Sequence, residues 1–260
     1  MSVIRSVFFY LVLIVSTFFL GIAVIITHRL TGRDEKPHLI GRLWAKINLW
    51  AAGVKVKVRG LGNVDRNRPY VYAANHQSLF DIFVILGALP VQFRWLAKEE
   101  LFRIFILGPA MTATGYIPID RTDRRKAFES LNRAAERVKG GVSVVIFPEG
   151  TRSPDGVMRE FKKGGFILAI RSQQPIVPIS ISGSHHVLSK KGGWIIRPGV
   201  IEMTLGVPIP TRGIATKDRD ILAERVREAI GKHLRPEEAG HGPGEQAFDP
   251  DEISRYEGSV

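Results

Sequence analysis

The sequence contains no cysteine. That absence removes disulfide frameworks, thiolate metal sites and cysteine nucleophiles together, and leaves the redox compartment open. Acidic residues are scarce beside basic ones: 25 Asp and Glu stand against 37 Lys and Arg, a formal net charge of +12 at pH 7. At long range such a chain favours anionic partners, whether nucleic acid, lipid headgroup or small phosphoester. No internal repeat is present, and neither a Gly-x-Ser-x-Gly elbow nor an HExxH pair occurs. The adjacent His185 and His186 would point to opposite faces of a strand, which suits no metal. They read as loop residues after Gly183 with a substrate contact left open, and no metal site is expected. At 260 residues, the chain is long enough for one substantial core with appendages.

Charge is also missing from one long stretch. Val7 to Ile26 reads VFFYLVLIVSTFFLGIAVII, twenty residues without a charge. As a helix it extends about 30 Å, the thickness of a bilayer's hydrocarbon core. The run ends in THRLTGR, which lacks the small-residue cleavage site of a signal peptide, so it is read as a retained anchor. Between Pro37 and Gly53, Leu39, Ile40, Leu43, Trp44, Ile47 and Trp50 recur at helical spacing, with Arg42 and Lys46 on the other face. Together the segments predict a membrane-associated helical hairpin over residues 1–53, its first arm entering the bilayer and its second lying on it; packing of the second arm on the domain is the alternative. Arg5 precedes the run and His28, Arg29, Arg33 and Lys36 follow it, which places the body of the protein on the cytoplasmic face of an inner or plasma membrane.

After Gly53 the pattern changes. VKVKVRG alternates with period two and reads as an edge strand, whereas YVYAA, FRWLA, VSVVIFP and IVPISIS are near-continuous apolar runs, as in strands buried on both faces. Ala127, Phe128, Leu131, Ala134, Ala135 and Val138 form a helical stripe that Gly140-Gly141 stops, and a closing helix runs from Lys217 to Leu234. Strands alternating with helices predict an α/β domain over residues 54–235, a largely parallel central sheet flanked by helices. Residues 236–260, rich in Gly, Glu, Asp and Pro, read as an acidic disordered tail.

Within VYAANHQSLFD, His76 follows a strand, and Ser78 with Asp81 has the spacing of a capping box at a helix start. Asp81 can reach back to one imidazole nitrogen, fixing the tautomer while the other nitrogen accepts a proton. Residues five apart diverge by about 140° on a continuous helix, so the pair requires His76 to sit in the loop. A helix cap beside a chance histidine explains the same residues without chemistry. A second buried strand ends in FPEGTRSPDG, and in parallel α/β sheets ligands bind beyond the carboxyl ends of the strands. There Gly150 lets backbone amides approach an anion, Arg152 offers a fork for two phosphate oxygens, and Thr151 and Ser153 add hydroxyls. Lys98 and Arg121 end other strands as further cations.

These blocks carry a family resemblance. Asn75-His76-x4-Asp81 followed by Phe147-Pro148-Glu149-Gly150-Thr151-Arg152-Ser153 resembles the glycerolipid acyltransferases of the 1-acylglycerol-3-phosphate type, and Gly115–Arg121 and Ile176–Ile179 resemble two further blocks in the same order. Pro118 stands where that family commonly has another residue. The resemblance implies transfer of a fatty acyl group from acyl-CoA or acyl carrier protein to the sn-2 hydroxyl of lysophosphatidic acid. It implies His76 and Asp81 as the catalytic pair; Glu149, Gly150, Thr151, Arg152, Lys98 and Arg121 on the substrate side, with Glu149 organising the loop; and no cofactor beyond the thioester co-substrate.

Other readings remain at this level. Another lysolipid or alcohol serves equally as acceptor in this chemistry, since the pocket alone selects it; a thioesterase or lipid hydrolase would use the same histidine on water. A membrane-tethered nucleic-acid binder would fit the charge, but aromatic and basic residues are not interleaved as a base-stacking surface requires, so no nucleic-acid partner is expected. An anionic membrane surface accounts for the charge more simply.

Overall fold

The computed structural model describes residues 2–120 and 122–240. The uncharged run folds as α1 (Ser2–Thr31) and the amphipathic segment as α2 (Glu35–Ala52), which ends at Gly53 in a left-handed conformation. Then follow β1 (Val54–Arg59), β2 (Val71–Ala74), α3 (Phe80–Ala88), β3 (Phe93–Lys98), α4 (Leu107–Ala113), β4 (Ile117–Ile119), α5 (Arg124–Lys139) and β5 (Ser143–Ile146). The rest comprises α6 (Gly164–Ser172), β6 (Ile176–Ser182), α7 (Ser184–Val187), β7 (Gly199–Leu205), α8 (Arg219–Gly231) and α9 (Pro236–Ala239).

The seven strands form one sheet in the order β1-β7-β6-β2-β5-β3-β4. Every pairing is parallel except β6 with β7. The expected α/β architecture is therefore present, with β1 at the edge where its alternating pattern put it. β7 carries no name in the sequence reading: GVIEMTL interleaves Glu202 and Thr204 with its buried Ile201, Met203 and Leu205, and it pairs parallel with β1, so that β1 and β7 together run against the other five strands. Tyr72, Ala74, Val145, Val177 and Ile179 face a core shared with α1, α2 and α3; Val71, Ala73, Val144, Ile146 and Ile176 face a second core under α5, α6 and α8. Continuous apolar strands are what a sheet covered on both faces requires.

The hairpin is more closely joined to the domain than a boundary at Gly53 implies. Phe9 of α1 is fully buried, its ring 5.4 Å from Phe80 and 6.1 Å from Phe83 of α3. Ser6 Oγ accepts a hydrogen bond from the Ile196 amide, Trp44 Nε1 donates to Thr17 Oγ1, and Asn48 Nδ2 donates to Ser16 Oγ. On α2, Ala45 and Leu49 are buried against α3 while Leu39, Leu43 and Trp50 are exposed, so its inner face belongs to the core. The alternative of packing on the domain is thus realised for that face, and the arm is not a helix lying apart on a membrane. Asp34, in the turn between the helices, meets Arg137 at the end of α5 at 3.3 Å. Val7, Phe8, Leu11, Ile14, Val15, Phe18 and Phe19 remain exposed along the outer side of α1.

At the other end, the segment expected to lose order at Pro236 begins with a helical turn whose Glu238 is buried. Residues 241–260, the remainder of the expected tail, lie outside the described residues.

Candidate active site

β2 and β5 are adjacent and parallel, with Val71 opposite Val144 and Ala73 opposite Ile146, so both chains leave the sheet at the same edge. His76 lies in the loop before α3, as its pairing with Asp81 demands. Its Nδ1 is 2.8 Å from Asp81 Oδ2. That same oxygen accepts the backbone N–H groups of Gln77 at 2.7 Å and Ser78 at 2.8 Å. The expected capping box forms in half: Asp81 reaches back to the Ser78 amide, but Ser78 Oγ accepts from Phe80 and donates to the Leu188 carbonyl. The Asp81 side chain is fully buried and the His76 side chain 12% exposed. Among the described residues nothing bonds Nε2, so with Nδ1 committed to the carboxylate, Nε2 is the nitrogen left to accept a proton.

The second turn closes onto this histidine. Phe147 stacks on the His76 ring, centroids 3.9 Å apart at 14°, and Trp95 of β3 stacks on Phe147 from the other side at 5.4 Å. Ser153 N donates to the His76 carbonyl at 2.7 Å. Glu149 Oε1 accepts the His76 amide at 2.6 Å and its Oε2 accepts the Arg159 amide at 3.1 Å. Two turns far apart in sequence therefore meet on His76, which fixes its backbone and ring plane before substrate arrives.

Several of the expected substrate-side groups serve the loop instead. Glu149 is 3% exposed, and burial pushes its carboxyl up to about 8, two backbone donors partly opposing the rise. Both its oxygens accept backbone donors, so it organises the turn. Gly150 has φ near +74°, and its amide donates to the Phe147 carbonyl; a side chain there would also meet the Lys162 methylenes at 3.0 Å. Its glycine serves turn geometry and close packing rather than an amide cradle. The Ser153 hydroxyl is buried, donating to Asp155 and accepting from Gly156, so it is no substrate donor.

Arg152 and Thr151 keep an outward role. Thr151 is exposed and Arg152 half-buried, one residue from the Ser153 contact with His76. Lys98 ends β3 at the same sheet edge, its ammonium 2.8 Å from Glu100. Arg121 lies outside the described residues. His185 and His186 sit on the short α7, where His185 packs against Gly156, and neither is on a strand.

With the geometry in place, similarity to known proteins is decisive. A family model described as acyltransferase matches residues 55–182. The 1-acyl-sn-glycerol-3-phosphate acyltransferase of Saccharomyces cerevisiae is 34% identical over 94% of this chain and 82% of its own length, and the alpha enzyme of Mus musculus is 34% identical over 82% and 75%. The chain belongs to this acyltransferase family. The crystal structure of PlsC, the 1-acyl-sn-glycerophosphate acyltransferase of Thermotoga maritima, superposes with a TM-score of 0.75 at 30% identity, covering 88% of this chain and 92% of that one. The chain spans 65% of the length of the chloroplastic relative LPAT1 of Arabidopsis thaliana, at 34% identity.

The sequence assigned no role to three parts of this site. Lys190 Nζ donates to the Arg152 carbonyl at 2.9 Å and to Thr151 Oγ1 at 3.2 Å, adding a cation beside the motif turn. Asn75, fully buried, exchanges two bonds with the Ile181 backbone, Nδ2 to O at 2.8 Å and N to Oδ1 at 2.7 Å, so the His76 loop is pinned to β6. Trp95 backs the ring stack. Asn75 directly precedes the histidine, a local clue; Lys190 and Trp95 offered none, since only folding brings them near.

Proposed function

We propose that the chain is a 1-acylglycerol-3-phosphate O-acyltransferase, moving a fatty acyl group from acyl-CoA or acyl carrier protein to the sn-2 hydroxyl of lysophosphatidic acid, with phosphatidic acid as product. One observation carries the reading: an imidazole held by a buried carboxylate through Nδ1, with Nε2 open at the carboxyl edge of the sheet. In this reading His76 Nε2 takes the hydroxyl proton as the substrate oxygen bonds to the thioester carbonyl carbon. Collapse of the tetrahedral adduct breaks the carbon–sulfur bond, and the departing thiolate recovers the proton from the imidazolium. General-base help of this kind is commonly worth ~10²–10⁴-fold. Asp81 keeps the imidazole in one tautomer and stabilises its cation. Arg152, Thr151 and Lys190, with Lys98 and Arg121, hold the acceptor's phosphate and so present its hydroxyl to His76. Transfer is direct, with no acyl-enzyme, and needs no cofactor beyond the thioester and no nucleic acid.

The membrane brings the acceptor. α1, the one helix among the described residues long and apolar enough to cross a bilayer, presents its outer stripe to the hydrocarbon, and the net positive charge draws the domain to an anionic lipid surface on the cytoplasmic side. A small apolar groove of about 70 Å³ lies between α1, α2 and α4, with Leu20, Val24, Ile40 and Met111 among its walls. The test is transfer of a labelled acyl group from a thioester to lysophosphatidic acid by purified protein in vesicles, with His76→Ala alongside. Phosphatidic acid from the parent and none from the variant is the expected result; near-normal turnover by His76→Ala defeats the general-base assignment, and free fatty acid without acceptor favours hydrolysis.

A further inference from the structure

We infer that Glu238, from the segment that sequence reading assigned to a tail, is a positioning residue for His76; the inference rests on the acyl-transfer reading for its kinetic arm alone. Glu238 is 3% exposed. Its carboxylate accepts from Ser182 Oγ, from the Gly183 amide at 2.8 Å and from the Arg235 amide at 3.4 Å. Its carbonyl accepts the Met158 amide at 2.8 Å. One residue thus joins two segments of chain, the turn after β6 and the loop after the FPEGTRS block.

Both segments end on the catalytic loop. From the β6 side, Ile181 is bonded to Asn75, Ser184 Oγ donates to Gln77 Oε1 at 3.4 Å, and the Leu188 carbonyl receives Ser78 Oγ at 2.7 Å. From the other side, the loop containing Met158 begins at Ser153, whose amide holds the His76 carbonyl, and runs to Arg159, whose amide holds Glu149. Asn75, His76, Gln77 and Ser78 are therefore gripped from two directions, and Glu238 is the tie between the grips. The packing leaves the tie little slack. Gly183 has φ near +87°, and a side chain there would meet the Val200 carbonyl at 2.9 Å and the Arg235 guanidinium at 3.2 Å. Gly240, with φ near +70°, lies against the Met158 carbonyl in the same way, at 2.9 Å. A buried carboxylate that satisfies three donors leaves them stranded when it is removed, so the surrounding turns must move to find water.

The experiment compares Glu238→Ala and Glu238→Gln with the parent by amide hydrogen exchange and by steady-state kinetics, after thermal melts establish folding. In Glu238→Ala, exchange at Met158, Gly183 and Ser153 quickens by about tenfold or more. Its kcat falls about tenfold, while KM for lysophosphatidic acid stays within about twofold, because displacement affects the reacting histidine more than the phosphate grip. Glu238→Gln, whose amide oxygen still accepts from Gly183, recovers most of both. Parental exchange at Ser153 in a folded Glu238→Ala protein, parental kcat, or equal losses in the Gln and Ala variants would each overturn the inference. Should Glu238→Ala not fold, Ser182→Ala, which removes one donor and leaves the carboxylate, is read in the same way, with Ser153 exchange raised about threefold and kcat lowered to match; unchanged values there overturn it too. A parent that transfers nothing, yet shows the Ser153 change on Glu238 substitution, refutes the proposed function and leaves the tie standing.

Discussion

The N-terminal hairpin and the carboxyl edge of the sheet both bury polar groups, and they spend them in opposite ways. In the hairpin, Ser6, Ser16, Thr17, Trp44 and Asn48 bond to each other or to the domain, so the outward side of α1 between Val7 and Ile26 is left apolar. At the sheet edge, Asp81, Glu149, Ser153 and Asn75 bond inward to backbone; Asp81 Oδ1, Gln77 Nε2 and Trp95 Nε1 are buried without a partner, and His76 Nε2 is a further nitrogen left unbonded, on a side chain that keeps some exposure. The first arrangement suits an oily solvent and the second a proton. What differs is which groups remain after internal partners are satisfied, not how polar each region is. Burial without a partner is costly, so the leftovers are informative.

The largest expected effect tests the outward nitrogen. His76→Ala lowers acyl transfer by ~10²–10⁴-fold in a protein that still folds, its melt falling only by what the lost Phe147 stack and Asp81 partner contribute. Steady-state assay against circular-dichroism melts checks it; a large loss of stability would mean the ring is a packing element like those of the hairpin.

Within the hairpin, one helix holds both kinds of phenylalanine. Phe9→Ala is expected to cost about 3–5 kcal/mol of unfolding free energy, since its ring is fully enclosed by Phe80 and Phe83. Phe19→Ala, 65% exposed, leaves stability within about 0.5 kcal/mol and weakens vesicle binding instead. Urea titration and vesicle sedimentation separate the two; equal effects on both measurements would erase the distinction between inner and outer stripe.

A smaller change is expected on the acceptor side of the edge. Arg152→Ala raises KM for lysophosphatidic acid about tenfold with kcat lowered less, as loss of a phosphate contact requires. A further effect concerns pH. The Glu149 carboxyl titrates near 8 in the fold and near its ordinary 4.5 when unfolded, so the folded state holds the extra proton between those values. Its contribution to stability is complete below about pH 4.5 and is lost as pH rises through about 8, roughly 1.4 kcal/mol per pH unit between them. Glu149→Gln, neutral throughout, flattens this part of the urea-midpoint profile between about pH 6 and 8; identical slopes for parent and variant would show that the carboxyl ionises as it would in water.

Much of this was legible from local pattern. The uncharged run, the apolar strands and the Gly140-Gly141 stop each depend on neighbours in sequence, and each appears in the fold. The His76–Asp81 pairing was legible too, because a loop followed by a helix turn brings those residues together whatever lies around them. β7 carries the same period-two signal as β1, Ile201, Met203 and Leu205 alternating with Glu202 and Thr204, yet it went unnamed because the signal spans so few residues. Glu238 was not legible, since its neighbours Pro236, Glu237 and Gly240 look like solvent-seeking tail until Ser182 and Gly183 supply donors from across the domain.

By itself, the sequence determined the hydrophobic periods, the anchor and the residue types capable of proton transfer and phosphate binding, because these follow from local chemistry. Tertiary structure decided which of those groups are already bonded to the protein's own backbone. Glu149, Gly150 and Ser153 look as suited to a ligand as Arg152 in the bare string, yet folding commits them to the backbone around His76. The physical reason is that hydrogen-bonding capacity is finite: a group's availability depends on every partner the fold brings within reach, and most of those are distant in the chain.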